Sequence, residues 1–233
     1  MSRPRITLHN AVSVDGLLSG YPADLGVYYE TAAQLPQDAV LTGSGTMLAA
    51  AASQGVDLSG DDPDETPPVV VPDDPRPWLV IVDSHGRLTR LRWLRAIPYW
   101  RDVLVLCSAT TPAAHLQRLR RHRVEHVVVG ATTVNLGAAL EVLSDQYGVR
   151  DVRVDAGGTL NTQLLHAGLV DEISLLVAPY LADTRTQPPL RLLATGASAS
   201  GRRLKLTAVQ QLRDDYIWLR YELLPASPET SEP

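Results

Sequence analysis

The chain has 233 residues, of which 45% are hydrophobic, and this is enough apolar sequence to form the full-sized core of a single domain. Its formal net charge of −5 excludes the class of general nucleic-acid-binding proteins, which depend on a strongly basic surface. A single cysteine, the absence of a signal-peptide pattern and the absence of a long apolar run exclude a disulfide framework and a membrane span, so we expect a cytoplasmic protein.

Most of the predicted strands are continuous apolar runs, a pattern typical of strands buried on both faces of a parallel sheet. In chain order they span residues 5–12, 38–43, 78–84, 102–108, 124–130, 151–156 and 172–179. Helical periodicity lies between them, at residues 25–35, 45–52, 112–122, 133–147 and 159–167. This alternation predicts a three-layer α/β fold with a mostly parallel, twisted sheet and helices on both of its faces.

The C-terminal part of the chain differs from the rest. Residues 201–224 contain two runs with partial period-two alternation, separated by Arg213, Asp214 and Asp215, and they predict an antiparallel hairpin at the sheet edge. We interpret residues 1–224 as one domain with a Pro/Asp-rich loop at 53–77, and residues 225–233 as a disordered tail.

Three short stretches are candidates for a ligand site, because ligands of open α/β sheets bind beyond the carboxyl ends of the strands. They are "SVDG" at residues 13–16, "TGSGT" at 42–46 and "DAGGT" at 155–159. The last two are glycine-bearing turns that lead into helices, where free backbone N–H groups favour a phosphate or pyrophosphate. The alternative is that these glycines are only turn residues. Neither stretch matches the P-loop or the Rossmann pattern.

The residues predicted to contact a phosphate-bearing cofactor belong to these two turns and to the end of the third strand. They are Thr42, Gly43, Ser44, Gly45, Thr46, Asp83, Ser84, Asp155, Ala156, Gly157, Gly158, Thr159 and Leu160. Ser84, His85 and Arg87 are possible partners for an extra phosphate on that cofactor. Asp15 is either a simple Asp-Gly turn residue or a carboxyl group beside the ligand. The histidine and cysteine spacing predicts no metal site.

Four stretches taken together resemble a known family. They are "SVDG", "DAVLTGSGT" at 38–46, "VIVDSHGRL" at 80–88 and "VDAGGTLNTQLLHAGLVDEISLLVAPYL" at 154–181, followed by the closing hairpin. In this order, from about Ile6 to Leu223, the chain resembles the riboflavin-biosynthesis reductase domain family. The family's Glu-Gly-Gly turn, its G-x-G-T loop and its Ser-x-Asp-Gly turn correspond to Asp155–Leu160, Gly43–Thr46 and Ser13–Gly16.

The resemblance implies a dihydrofolate-reductase-like fold, a homodimer and NADPH as the cofactor. It implies hydride transfer to a small-molecule substrate, a ribosylaminopyrimidine 5′-phosphate such as 5-amino-6-(5-phosphoribosylamino)uracil, whose sugar opens to a ribityl chain. In this interpretation the two glycine turns hold the cofactor phosphates and Asp15 faces the reacting sugar, as a catalytic residue that relays a proton.

The sequence also departs from the family pattern. Leu17 stands where a basic residue is frequent, and Asp61, Asp62 and Pro63 in the altered region 47–77 lack the usual Leu-Thr continuation. The motifs of the zinc deaminase domain that often accompanies this reductase are absent. Two alternatives therefore stay open. The chain is a reductase of the same fold that acts on a different pterin-like, carbonyl or imine substrate, or it is a non-catalytic nucleotide-binding module.

Overall fold

The computed structural model of the chain describes residues 3–58, 62, 74–185, 189–194 and 202–224. The predicted C-terminal tail and most of the predicted loop at 53–77 lie outside these residues. None of the helices in the described ranges is long and apolar enough to cross a membrane.

All seven predicted strands and the C-terminal hairpin are present, and the predicted strand ends differ from the observed ends by at most two residues. The strands are β1 (Arg5–Ser13), β2 (Ala39–Gly43), β3 (Trp78–Val82), β4 (Val103–Cys107), β5 (Glu125–Val128), β6 (Asp151–Val154), β7 (Glu172–Ala178), β8 (Leu204–Gln211) and β9 (Ile217–Leu223). A short 3₁₀ turn, Arg213–Asp215, joins the last two strands.

The five predicted helices are confirmed, and a sixth is added. They are α1 (Leu25–Ala32), α2 (Ser44–Ser53), α3 (Arg92–Arg95), α4 (Ala113–Arg121), α5 (Leu136–Tyr147) and α6 (Gly158–His166). Helix α5 begins later than predicted because Asn135 caps it, with its side-chain oxygen accepting a hydrogen bond from the Ala138 N–H group. Helix α3 was not predicted because a single turn is too short to show a helical period.

The nine strands form one sheet in the order β5-β4-β3-β2-β6-β1-β7-β9-β8. Strands β1 to β7 run parallel to one another, and the β8–β9 hairpin adds two strands at one end, where β9 pairs antiparallel with β7 and β8 pairs antiparallel with β9. The predicted fold class is therefore confirmed: a mostly parallel sheet with a C-terminal antiparallel hairpin. Strand β6 lies in the middle of the sheet, between the two strands that come first along the chain.

Alternation of side chains along each strand divides the core between the two faces of the sheet. On one face, α5 and α6 pack over a large cluster that includes Val152 and Val154 of β6. On the other face there are two separate apolar clusters, one under α1 and the other under α2, α3 and α4. Arg153 and Asp155 point to this second face, and neither belongs to an apolar cluster. A polar strip therefore separates the two clusters.

Candidate functional site

The polar strip is built from neighbouring positions of β1, β6 and β2. In the sheet register, Thr7 and Val40 flank Arg153. Two residues further along each of these three segments, toward the carboxyl ends of the strands, His9, Asp155 and Thr42 form the next row on the same face. We call this second row and Arg153 the cleft floor. Because the strands are parallel, the floor lies just below the strand ends where ligands of α/β sheets bind.

Asp155 is the carboxyl group of the cleft floor. Its side chain keeps 36% of its surface exposed, although it follows directly after the central strand of the sheet. Burial raises its pKa, and the Arg153 guanidinium and the Tyr28 hydroxyl oppose part of that increase. A carboxyl group with a raised pKa in a cleft is a candidate for proton transfer.

Arg153 is a fully buried cation in the central strand, with only 1% of its side chain exposed. Its Nη1 atom lies 3.6 Å from the Asp155 Oδ2 atom, and its Nε–H donates to the Gln37 Oε1 atom at 2.8 Å. The Tyr28 hydroxyl oxygen accepts a longer hydrogen bond of 3.4 Å from Nη1. The guanidinium is therefore fixed from two sides, and it faces the carboxyl group on a third.

Thr42 contributes a hydroxyl group to the same floor. Its side chain is only 1% exposed, and its Oγ1 atom has no hydrogen-bond partner among the described residues. An unpartnered buried hydroxyl is costly, so such groups in proteins are commonly satisfied by a bound molecule. The Thr42 side chain is as deeply buried as that of Arg153, so its contact with a ligand stays a prediction.

Two helices begin at the carboxyl ends of adjacent strands, α2 after β2 and α6 after β6. Their N-cap residues, Gly43 and Gly157, have extended backbones and provide no side-chain cap. A Cβ atom added at either glycine would meet nothing within 4 Å. Two uncapped helix N-termini lie side by side with open space before them, and this arrangement suits a group with two phosphates.

A basic side chain lies at the first of these helix ends. The guanidinium of Arg87 donates to the Ser44 hydroxyl, at 2.8 Å from Nη2 and 3.3 Å from Nε. Its Nη2 atom would lie 3.4 Å from a Cβ atom at Gly45, so the cation covers the start of α2. A guanidinium beside a helix N-terminus attracts an anion more strongly than either feature alone.

The second glycine of the "DAGGT" turn has a different neighbour from the first. A Cβ atom at Gly158 would lie 2.7 Å from the backbone oxygen of Arg191 and 2.9 Å from the Ala194 nitrogen. Segment 189–194 is held there by the Asn161 amide, which donates to the Leu192 carbonyl, and by the Thr162 hydroxyl, which accepts from Ala194. Gly158 is therefore required by the close approach of the chain's own backbone.

Several predicted cofactor residues point elsewhere with their side chains. Ala156 and Leu160 belong to the apolar core, so only their backbone could reach a ligand. Both carboxylate oxygens of Asp83 accept hydrogen bonds from the backbone N–H groups of Arg87 and Leu88, and the residue closes a turn. The Ser84 hydroxyl accepts from the Val134 N–H group. Thr46 is half-buried and Thr159 is exposed. Their contact with a cofactor stays a prediction.

Asp15 lies in an exposed turn after β1, next to Gly16 with its positive φ of 81°. Its Oδ1 atom accepts a hydrogen bond of 3.0 Å from the Ala182 N–H group. Its pKa is lowered, first by the Ser13 hydroxyl and then by this backbone contact. Its geometry is that of the turn residue weighed above as an alternative, and its catalytic role stays a prediction.

Sequence reasoning missed the residues that surround Asp155. Arg153 was assigned only to a strand. A charged residue inside a run predicted to be buried on both faces must have a partner, and this could have indicated its role. Tyr28 and Tyr29, which both interact electrostatically with Asp155, were assigned only to helix α1. Gln37 and Tyr99 complete the surroundings, and nothing local in the sequence marks them.

Comparison with known proteins supports the fold and identifies relatives of the chain. A 2,5-diamino-6-ribosylamino-4(3H)-pyrimidinone 5′-phosphate reductase of Methanothermobacter thermautotrophicus is 29% identical over 229 residues, which cover 92% of this chain and 96% of the relative. The structure of RibD from Acinetobacter baumannii superposes with a TM-score of 0.67 at 26% identity, over 95% of this chain. The chain spans 58% of that protein's length.

A pyrimidine reductase-like protein from Corynebacterium diphtheriae has the same fold, with a TM-score of 0.70 at 20% identity over 95% of this chain and 92% of the other. The RibD C-terminal domain family matches residues 4–218, which is nearly the whole length described above. The resemblance found in the sequence is thus confirmed, and the chain belongs to the RibD C-terminal domain family.

Proposed function

We propose that the chain is an NADPH-dependent reductase that converts 2,5-diamino-6-ribosylamino-4(3H)-pyrimidinone 5′-phosphate to its ribitylamino form. Two relatives that each share 29% identity with it are named as reductases of this compound. The observation that carries the proposal is the cleft floor with the partly exposed Asp155 carboxyl group, whose pKa is raised, next to two uncapped helix N-termini at adjacent strand ends. The uracil analogue expected from the sequence differs at ring position 2, where an oxo group replaces the amino group.

The residues present fit the cofactor. The N-termini of α2 and α6 offer backbone N–H groups for a pyrophosphate, and the open space at Gly43 and Gly157 lets it approach. Arg87 and Ser44 would hold the extra phosphate of NADPH, and they favour it over NADH because a guanidinium pairs strongly with a phosphate.

When it is bound, the cofactor supplies a hydride to the sugar carbon that carries the amino group. The chain's own task is to open the sugar ring and to orient the resulting chain. Protonated Asp155 would give its proton to the ring oxygen as the bond from that oxygen to C1′ breaks, while the amino nitrogen forms a double bond to C1′. After reduction at C1′, when the nitrogen has its lone pair again, Asp155 would regain a proton from solvent.

Asp155 is better suited to this step than Asp15. The raised pKa of Asp155 keeps a larger share of its carboxyl groups protonated, whereas the lowered pKa of Asp15 leaves it ionised. We expect Asp155→Asn to lower kcat by about 10² to 10⁴, the range for loss of a general acid. Asp15→Asn, as the matched control, should retain turnover. Loss of turnover in Asp15→Asn with turnover retained in Asp155→Asn would return the catalytic role to Asp15.

The proposal is tested by calorimetric titration with NADPH and NADH, followed by turnover assays with the diamino-pyrimidinone and the amino-uracil substrates. NADPH-selective binding with turnover of the diamino compound is the expected result. Turnover of the uracil analogue alone would support the reaction but correct the substrate. NADPH binding with neither substrate reduced would favour a reductase for a different compound, and no binding of either nucleotide would refute the proposal.

We also propose that the chain forms a homodimer. Strand β8 ends the sheet, and nearly all of its residues are exposed, including Leu206 at 50% and Val209 at 62%. An apolar, unpaired edge of this kind favours association with a second copy. Light scattering of Val209→Glu should give a monomer where the unmodified chain gives a dimer. A monomeric unmodified chain would contradict the proposal.

A further inference from the structure

A contribution to stability alone does not explain why the charged Arg153 side chain is buried. Removing a guanidinium from water costs several kcal/mol, and replacing a buried ion pair by apolar residues of similar volume is often neutral or stabilising. Here the ion pair with Asp155 is a single contact of 3.6 Å, so it does not reach the bidentate geometry that would offset the desolvation best. The neighbouring strand positions of this face carry Thr7 and Val40 and leave room for an uncharged residue.

Hydrogen bonds from neighbouring elements fix the orientation of the Arg153 guanidinium. Gln37, just before β2, accepts from Nε, and Tyr28 of α1 accepts from Nη1. Both partners lie outside β6, as does Tyr99, which also forms a side-chain hydrogen bond with Arg153, so separate elements fix the guanidinium relative to the strand. Asp155 follows two residues later on the same face, and its other side is open to the cleft.

We propose that Arg153 is a positioning residue for Asp155: the anchored guanidinium holds the carboxyl group on the cleft floor, at the place where it meets the substrate. This inference rests on the proposed function. Arg153 is too deeply buried to contact the substrate, so it acts only through Asp155.

The titratable groups around Asp155 determine how its pKa changes when Arg153 is removed. The titratable side chains that face it from the packed elements are Arg153 of β6, His9 of β1, Tyr28 and Tyr29 of α1, and Tyr99 of the segment before β4. Arg153 is the one full positive charge in this set, because burial keeps His9 neutral and lowers its pKa to about 3. Without Arg153, burial acts on Asp155 unopposed by a cation, and the pKa of Asp155 rises.

The test compares Arg153→Met and Arg153→Lys with Arg220→Met. Arg220 pairs with buried Glu172 on the same face but outside the cleft, and Glu172 keeps its second partner Arg5, so Arg220→Met controls for the loss of one arginine from a buried carboxylate. We expect Arg153→Met to lower the plateau of kcat by about 10²-fold, which is the loss expected when a catalytic group is displaced by roughly 1 Å. The pH at which kcat falls on the alkaline side should also rise. Arg153→Lys should restore part of both values.

A second measurement does not need turnover. Carboxyl-carbon NMR titration, with the Asp155 signal assigned by its loss in Asp155→Asn, should show a higher pKa in Arg153→Met and an unchanged one in Arg220→Met. If Arg153→Met does not fold, Arg153→Lys and Gln37→Leu keep the test open, because each retains the charge but loosens the anchor and should therefore lower kcat. The inference is overturned by an unmoved Asp155 titration and pH profile in Arg153→Met, or by an unchanged kcat in Arg153→Lys and Gln37→Leu. Failure of the unmodified chain to reduce any substrate would refute the proposed function, while the NMR titration would still report on the pair.

Discussion

Replacing Gly158 by alanine tests whether this glycine is required by the chain's own packing. The added Cβ atom would lie 2.7 Å from the Arg191 oxygen, 2.8 Å from the Leu193 carbonyl carbon and 2.9 Å from the Ala194 nitrogen. All three atoms are backbone atoms, so no side-chain rotation relieves the contact, and segment 189–194 must shift. Overpacking of this kind costs about 1 to 3 kcal/mol of unfolding free energy. For a chain of this length, a loss of 2 kcal/mol lowers Tm by about 4 to 8 °C.

Gly157→Ala is the matched control, since a Cβ atom there meets nothing and the φ of −83° is open to alanine. We expect its unfolding free energy to change by no more than about 0.5 kcal/mol. Its affinity for NADPH should fall, because the new methyl group would occupy the space proposed for a phosphate. Urea unfolding and calorimetric titration of both variants separate the two effects. Equal stability of Gly158→Ala and the unmodified chain would show that segment 189–194 does not press on this glycine.

Other predictions concern Arg87 and two buried groups. Arg87→Met should weaken NADPH binding by about 10- to 100-fold, the value of one or more charge-assisted hydrogen bonds, and should leave NADH binding unchanged. Equal losses of affinity for both nucleotides in calorimetric titration would contradict the assignment of Arg87 to the extra phosphate. Burial and, second, Arg153 lower the pKa of His9 from 6.5 to about 3, so the unfolded chain binds more protons between these values and stability falls as the pH decreases through this window. Urea unfolding from pH 7 to pH 4 should show that His9→Gln removes part of this loss, and an identical pH dependence would argue against a neutral His9. Burial, followed by the charge of Asp83, raises the pKa of the Cys107 thiol to about 11, so a thiol reagent should label the native chain only at its rate of opening, and rapid labelling at neutral pH would contradict this.

The architecture was readable from the sequence because its signals are local. Continuous apolar runs identified the buried strands, and the change to partial alternation after residue 201 identified the hairpin. Strand order was not readable in the same way, since β6 pairs with β1 and β2 through contacts between distant parts of the chain. The short helix α3 offered too few residues for a period.

The candidate site was readable in part. The glycine turns after β2 and β6 were found because a helix that starts with glycine after a buried strand is a recognisable pattern. The roles of the individual groups were not readable, because they depend on which face a side chain takes and on what packs against it. Asp83 shows this clearly: its position at a strand end suggested a ligand contact, but its carboxylate bonds to the backbone of its own turn.

The central place of β6 in the sheet also bears on how the chain assembles. During synthesis β1 and β2 are made early, but neither can pair with the other, because the strand that lies between them is formed by residues 151–154. Until then their edges have unsatisfied backbone groups that invite pairing with other chains. Sheets that depend on such distant pairings fold slowly and expose intermediates to aggregation. The position of β6 between β2 and β1 brings Arg153 and Asp155 to the middle of the sheet, and it also means that the sheet is completed late. We therefore expect fragments that end before Asp151 to aggregate.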